Sequence, residues 1–281
     1  MPKISIVLPV HNGAQYLSSA IDSVINQTYS DWELIIVDDC SKDQSTLIAQ
    51  QYVARDRRIR YIRNTTNCKL PKSLNIGFAQ ATGIYWTWTS CDNVYLPSAL
   101  TELVSVLDQS PDIGLIYASM DIMNETGDTT GFLAAGPAKD LIFRNVVGAC
   151  FLYRRSVAQQ IGHYNPHLFL CEDYDYWLRI AQKFTIQPLP RTLYRYRRHA
   201  RSLSQRQEKD VIAKGIAMQK TYFSSFIKTR AEAARFYAFV RDRDIFNPFR
   251  QCYLALILWY SPRLFIKEIM GLLMRRFTVV T

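Results

Sequence analysis

Two acid clusters, one isolated aspartate and one histidine stand where they could do chemistry. Asp38 and Asp39 end the apolar run WELIIVDD. An acid at a strand end can cap the next helix or close a turn. Of two in succession, one can face into the structure while the other accepts hydrogen bonds from a base or a ribose. Asp92, in TSCDN, reads as a turn residue or as a cation ligand. Hard divalent ions take oxygen ligands, and Mg²⁺ commonly combines one or two carboxylates with substrate phosphates. In CEDYD, Glu172, Asp173 and Asp175 open a helix, where the dipole favours acids and one of them could act as general base toward a hydroxyl. Successive helical residues face different ways, so at most one or two of the three can share a site. His199 lies in the basic stretch YRYRRHARS and becomes a candidate ligand only if that stretch folds back over a cleft.

The elements that must position these residues alternate. KISIVLPV and WELIIVDD are apolar, strand-like runs, and IRYIRN, IYWTWTS and GLIYASMDIM follow in the same style. Between them, AQYLSSAIDSVINQ carries Leu17, Ile21, Val24 and Ile25 at helical spacing. SKDQSTLIAQQYVARD reads as a helix with Ser41 at its N-cap, PKSLNIGFAQATG as a helix stopped by Gly83, and PSALTELVSVLDQS as a further helix. Strands alternating with helices imply crossover units and an open, mostly parallel α/β sheet flanked by helices. Ligands of such sheets bind beyond the carboxyl ends of the strands. His11/Asn12, Asp38/Asp39 and Ser90/Asp92 all follow strand ends, so three polar clusters should converge on one edge. No G-x-G-x-x-G follows the first strand, which argues against a dinucleotide site. Past residue 130, TTGFLAAGPAKD reads as a loop or lid, GACFLYRRSVAQQIG as a strand running into a helix, and IQPLPRTLYRYRRHARSLS as an extended stretch leaving the domain.

The six cysteines form no C-x-x-C pair, which argues against a zinc site or a disulfide framework and fits a reducing compartment. The apolar start Ile4–Val10 is too short for a signal-peptide core and is interrupted by Pro9. A cytoplasmic chain is therefore the expectation. Net charge is +10, unevenly spread: residues 1–180 carry 14 Lys/Arg against 18 Asp/Glu, and residues 181–281 carry 20 against 6. A basic back half is drawn to anionic surfaces.

The ordered motifs SIVLPVHNGAQYLSSAIDSVINQTYSDWELIIVDDCSKDQS, LNIGFAQATGIYWTWTSCDNVYLP, CEDYDYWLRIA and YRYRRHARSLS, across roughly residues 3–205, resemble the inverting family 2 glycosyltransferases of GT-A fold. The resemblance implies a nucleotide-diphosphate-sugar donor, a UDP-sugar first among them, with Mn²⁺ or Mg²⁺ and single-step displacement at the anomeric carbon. By position, Asp38 and Asp39 fall at the nucleotide, with Asp39 the better placed for the base, and the turn Pro9, Val10, His11 and Asn12 lines the same pocket. The family's D-x-D motif aligns with Ser90-Cys91-Asp92. Its metal-facing acid is kept as Asp92 and its first acid is replaced by Ser90. Asp173 matches the catalytic base, Glu172 its neighbour, and His199 a histidine that closes on the metal or diphosphate.

Residues 206–281 lie outside the resemblance. Their longest apolar run, Cys252–Tyr260, falls far short of the ~20 residues of a spanning helix. With flanking aromatic and basic residues, this region is expected to form helices on an anionic membrane surface, or an apolar hairpin packed on the first domain. No nucleic-acid recognition motif is present. The expected organisation is a transferase-like domain, 1–205, and a helical basic region, 206–281, peripheral on the cytoplasmic face of a membrane. The acceptor is expected to be a glycan or a lipid-linked sugar. The competing readings are a sugar-nucleotide or glycan-binding protein without catalysis, which Ser90 motivates, and a basic adaptor with an incidental acidic cleft.

Overall fold

Strand β1 (Ile4–Val10) lies between β2 (Trp32–Asp38) and β4 (Tyr85–Trp88) and runs parallel to both. β2 pairs in turn with β3 (Ile59–Arg63), also parallel. Strands covered on both faces cannot alternate apolar with polar, which is why ISIVLPV and WELIIVD read as unbroken apolar runs. The crossovers are α1 (Ala14–Ile25), α2 (Ser45–Arg55) and α3 (Lys69–Ala79). α3 approaches β1 so closely that a Cβ on Gly77 would lie 2.4 Å from a Val7 methyl carbon. In this computed structural model, residues 2–229 and 231–236 are described, with five further positions beyond them.

After β4 the sheet becomes mixed. β5 (Val94–Tyr95) and α4 (Ala99–Gln109) lead to the long β6 (Ile113–Met123), which turns back through the exposed β7 (Thr129–Leu133). A single 3₁₀ turn, Ala138–Asp140, precedes β8 (Phe151–Arg154) and α5 (Arg155–Ile161). Then come α6 (Glu172–Ala181), β9 (Thr185–Arg197), the short α7 (Leu203–Arg206) and α8 (Glu208–Phe226). The sheet order is β3-β2-β1-β4-β8-β6-β9-β5, with β7 on the edge of β6. TTGFLAAGPAKD thus supplies an edge strand and a 3₁₀ turn rather than an irregular loop.

β9 corrects the reading of IQPLPRTLYRYRRHARSLS as a segment leaving the domain. It runs parallel to β6 and antiparallel to β5, as a strand of the same sheet. Proline has no N–H for a ladder and is confined to edges and bulges. The strand meets that limit by shifting register: Ala118 pairs with Leu189 but Ser119 with Thr192, so Pro190 and Arg191 bulge out of the ladder. Two smaller expectations also change. α2 begins at Ser45, four residues after Ser41, whose hydroxyl accepts instead from the Asn12 amide. α3 ends at Ala79, before Gly83.

The core joins the inner faces of β1, β2 and β6 to Leu17, Ile21 and Val24 of α1 and to Leu100, Leu103, Val104 and Leu107 of α4. The described chain divides into two compact units, Met1–Met218 and Gln219–Thr281. Within the second, Phe223 and Phe236 pack edge to face at 4.9 Å. No helix among the described residues is long and apolar enough to cross a membrane. The run Cys252–Tyr260 lies outside the described residues apart from Leu258.

Candidate active site

Parallel pairing in register fixes where the polar clusters emerge. Val10 is opposite Asp38, and the chain continues the ladder with Asp39 N–H donating to Val10 O at 2.8 Å and Thr89 N–H to Val7 O at 3.0 Å. The turns after β1, β2 and β4 therefore leave the sheet side by side. Asp38 has no exposure. Its carboxylate accepts from Ser41 N at 2.8 Å, Thr46 Oγ1 at 2.6 Å and Tyr61 OH at 2.7 Å. Burial opposes its ionisation, but these donors outweigh burial and hold its pKa below the ordinary carboxylate value. These bonds tie Asp38 to its own turn, to α2 and to β3, and leave its carboxylate enclosed.

Asp39 faces the other way. Its Oδ1 accepts from Asn64 Nδ2 at 2.8 Å and Cys68 N at 2.7 Å, and its Oδ2 from Lys69 N at 2.9 Å. A carboxylate has about four lone-pair sites, so these donors leave room for one more. Val10 sends its side chain into the core, Pro9 is half-buried in β1 opposite Val37, and His11 and Asn12 of the first turn are exposed. His11 Nδ1 lies 2.8 Å from Asp39 O, and Asn12 Oδ1 accepts from Lys42 N at 2.8 Å, which joins the first two turns. The next residue, Gly13, admits no side chain, because its Cβ would fall 2.5 Å from Cys91 Sγ in the third turn.

Asp92 and His199 are 107 positions apart in sequence, yet His199 Nε2 lies 2.9 Å from Asp92 Oδ2. β9 causes this meeting. By pairing Arg195 with Val94 it delivers the residues after Arg197 to the turn that holds Ser90 and Asp92. Ser90 is partly buried in that turn. The His199 ring tilts against Tyr16 at 5.1 Å, and its Nδ1 is buried without a partner among the described residues.

Arg197, not singled out from the sequence, locks the arrangement. Its Nε donates to Asp92 O at 3.0 Å, its Nη1 to Asn124 O and Glu125 O at 3.1 and 2.9 Å, and its backbone N–H to Asn93 Oδ1 at 2.8 Å. The guanidinium also stands 4.4 Å over the Tyr16 ring. A guanidinium presents five donors in a rigid fork, and here they join the β4–β5 turn, the β6–β7 turn and α1.

No cluster of three or more metal-binding side chains exists among the described residues. The donor set is therefore one carboxylate and one imidazole. That fits a divalent ion such as Mn²⁺ or Mg²⁺ only when substrate phosphates and water complete the shell.

The acids of α6 separate into two roles. Asp175 turns to Arg179, 2.9 Å away, whose guanidinium also binds Ile161 O and His163 O, so this pair is structural. Glu172 is buried, and its Oε2 accepts from Leu170 N at 2.7 Å. Asp173 accepts from Asn145 Nδ2 at 2.9 Å and from Tyr174 N at 2.7 Å. Burial and the neighbouring Asp173 charge push Glu172 up to about 8, and burial also raises Asp173. Two adjacent carboxyls that resist ionisation form a group able to hold or take up a proton near neutral pH.

Among the described residues, four that are not glycine have left-handed backbones: Asn12 (φ 54°), Cys40 (φ 62°), Lys69 (φ 70°) and Leu170 (φ 81°). Such residues are uncommon and collect at functional sites. Each belongs to a segment just described: the turns after β1 and β2, the start of α3 that Asp39 caps, and the approach to Glu172.

The sequence profile of glycosyl transferase family 2 matches residues 5–162, more than half of the chain, and the chain belongs to that family. An uncharacterized glycosyltransferase of Rickettsia felis is 30% identical over 194 residues, covering 64% of this chain and 32% of that protein. The putative glycosyltransferase EpsE of Bacillus subtilis is 29% identical, covering 73% of this chain and 76% of its own. The match thus spans about a third of the Rickettsia felis protein but three quarters of EpsE. Among solved structures, S. aureus TarS superposes with a TM-score of 0.67 at 15% identity, over 88% of this chain and 44% of that one. The mannosyltransferase PcManGT of Pyrobaculum calidifontis, solved with GDP-Man and Mn²⁺, gives 0.59 at 15% identity over 93% and 81%. At such identities the likeness is one of fold, and the fold is of GT-A type.

Proposed function

We propose that this chain is an inverting glycosyltransferase that moves a sugar from a nucleotide-diphosphate donor to a hydroxyl of a glycan or lipid-linked acceptor. The observation that carries the reading is the meeting of Asp92 with His199 at the sheet edge from which the turns after β1 and β2 also emerge. An oxygen and a nitrogen ligand then share that edge with Asp39, whose carboxylate can accept one more hydrogen bond. Asp39, Pro9, His11 and Asn12 bind the nucleoside, while Ser90 is placed to donate to the ribose or to a water. Asp92 and His199 hold the divalent cation. When bound, such an ion would supply Lewis-acid neutralisation of the charge on the departing diphosphate. Asp173 takes the proton of the acceptor hydroxyl as it attacks, and Glu172 beside it sets the proton balance. Inversion in one step requires no enzyme nucleophile.

TarS has been solved with UDP and PcManGT with GDP-Man and Mn²⁺, which recommends those ligands as the first to try. The test is titration of UDP with and without Mn²⁺ into wild type and Asp92→Asn. We expect Mn²⁺-dependent binding in the wild type and its loss in the variant. Equal, metal-independent affinity in both would sink the assignment. Release of UDP from UDP-sugars separates this enzyme from a binding protein that kept the fold.

A further inference from the structure

Asn145 sits in the irregular segment between the 3₁₀ turn and β8, after the exposed Arg144 and before the buried Val146 and Val147. Its Oδ1 accepts from Val147 N at 3.3 Å and Gly148 N at 3.4 Å. Those two donors settle which way the amide faces, and they leave its NH₂ for Asp173 Oδ2 at 2.9 Å. The turn that supplies them is itself fixed. Gly148 has φ +66°, and a Cβ there would fall 2.0 Å from Met120 Cε. The same segment is tied to α6 by Tyr174 OH, which donates to Leu141 O at 2.7 Å. A partly buried amide held at both ends, with its free donors on a carboxylate, costs conformational freedom that a loop asparagine would otherwise keep.

We propose that Asn145 is a positioning residue for Asp173: its amide fixes the direction of the carboxylate and keeps it charged. The inference rests on the reading of Asp173 as the base. Asp173 Oδ1 is taken by Tyr174 N, at the start of its own helix, so Asn145 supplies the side-chain donor. The titratable and charged groups around the carboxylate are Glu172 on α6, Cys171 and Tyr164 before it, Tyr196 of β9 and Lys214 of α8, which acts on Glu172. Burial works against the charged form, and the Asn145 hydrogen bond works for it. Glutamine would overreach by a methylene. Aspartate would accept from the same turn but set a third carboxylate against Glu172 and Asp173.

The test titrates the intact chain carrying ¹³C-labelled aspartate, with the Asp173 carboxyl resonance assigned by its loss in Asp173→Asn. For Asn145→Ala the midpoint should rise by about one unit or more, the size expected when a carboxylate loses one good donor. For Asn145→Asp, nearly the same shape, it should rise further. With UDP-N-acetylglucosamine as donor and water as acceptor, the acid limb of UDP release should move in the same order and recover at high pH. A purely structural role would lower activity at every pH without moving the limb. Midpoints that superimpose on wild type in both variants would overturn the proposal. If Asp173→Asn instead keeps its turnover, the base has been misassigned, and the titration still decides what Asn145 does to the carboxylate.

Discussion

A carboxyl group buried beside a second carboxyl resists ionisation on two counts, and Glu172 meets both. Its pKa lies at about 8 in the fold against 4.5 ordinarily, so between those values the folded chain keeps a proton that the unfolded chain gives up. Stability from this group is intact below the ordinary value and is lost as pH rises through the folded one. The melting temperature should therefore fall from pH 5 to pH 8 in the wild type. Glu172→Gln, which mimics the protonated acid, should flatten that fall and melt higher at pH 8. A wild-type slope that survives in Glu172→Gln would place the buried proton elsewhere. Asp173→Asn tests the other partner: turnover should drop by ~10²–10⁴-fold, the usual worth of a general base, while UDP affinity stays near wild type. At this scale the sequence is legible where residue type and chemistry coincide. The Glu172–Asp173 pair and Asp92 stand out because acids at strand and helix ends are few. That Asp38 and Asp39 face different ways is legible, but the donors that enforce it are not, since Thr46, Tyr61, Asn64 and Cys68 neighbour them only in space. Asn145 is invisible for the same reason, as an asparagine in an irregular loop has no period to betray it.

Strands and helices turn these scattered residues into a site, and β9 does most. Parallel crossovers place the first three turns together, which the alternation of apolar runs and helical spacing makes readable. β9 breaks its own pattern with Pro188 and Pro190, so its pairing with β6 and β5 emerges only once the partner strands are in place. YRYRRHARS likewise reads as a solvated basic stretch, yet Arg197 is buried and joins three segments. We expect Arg197→Met to destabilise the fold by about 2–4 kcal/mol, because it leaves the carbonyls of Asp92, Asn124 and Glu125 without their donor. Arg197→Lys keeps a cation near Tyr16 but cannot span all three carbonyls, so it should fall between. Urea unfolding measures the first effect. Titration of UDP with Mn²⁺ measures whether Asp92 and His199 still meet. A variant that loses stability but binds UDP as the wild type does would show that Arg197 supports the fold without aligning the site.

Over the whole molecule, charge separates along the chain, and most of the excess lies earlier than the apolar C-terminal run. Residues 181–228 hold 11 Lys/Arg against 2 Asp/Glu, while residues 229–281 hold 9 against 4. Lys183, Arg191, Arg198, Arg201, Arg206, Lys209 and Lys228 are all exposed. A membrane reading of the chain therefore has two sources. Exposed cations of the described part would give attraction of ~1 kcal/mol for each residue that reaches an anionic surface, screened by salt. The Leu, Ile, Phe and Trp side chains after residue 228 would add a term that salt does not screen. The two can be separated by truncation, provided the cut spares α8. Lys214 Nζ donates to Phe169 O at 2.6 Å, three residues before Glu172, so ending the chain near residue 205 would disturb the acids as well. A chain ending at residue 228 keeps that contact. In flotation with phosphatidylserine vesicles, full-length protein should float at low salt and in part at high salt. The shortened chain should float weakly at low salt and not at all at high salt, with UDP binding retained. Neutral vesicles should carry only the full-length protein. Full-length protein that stays with the soluble fraction beside anionic vesicles at low salt would end the membrane reading, and the apolar run would then be a surface for packing against protein.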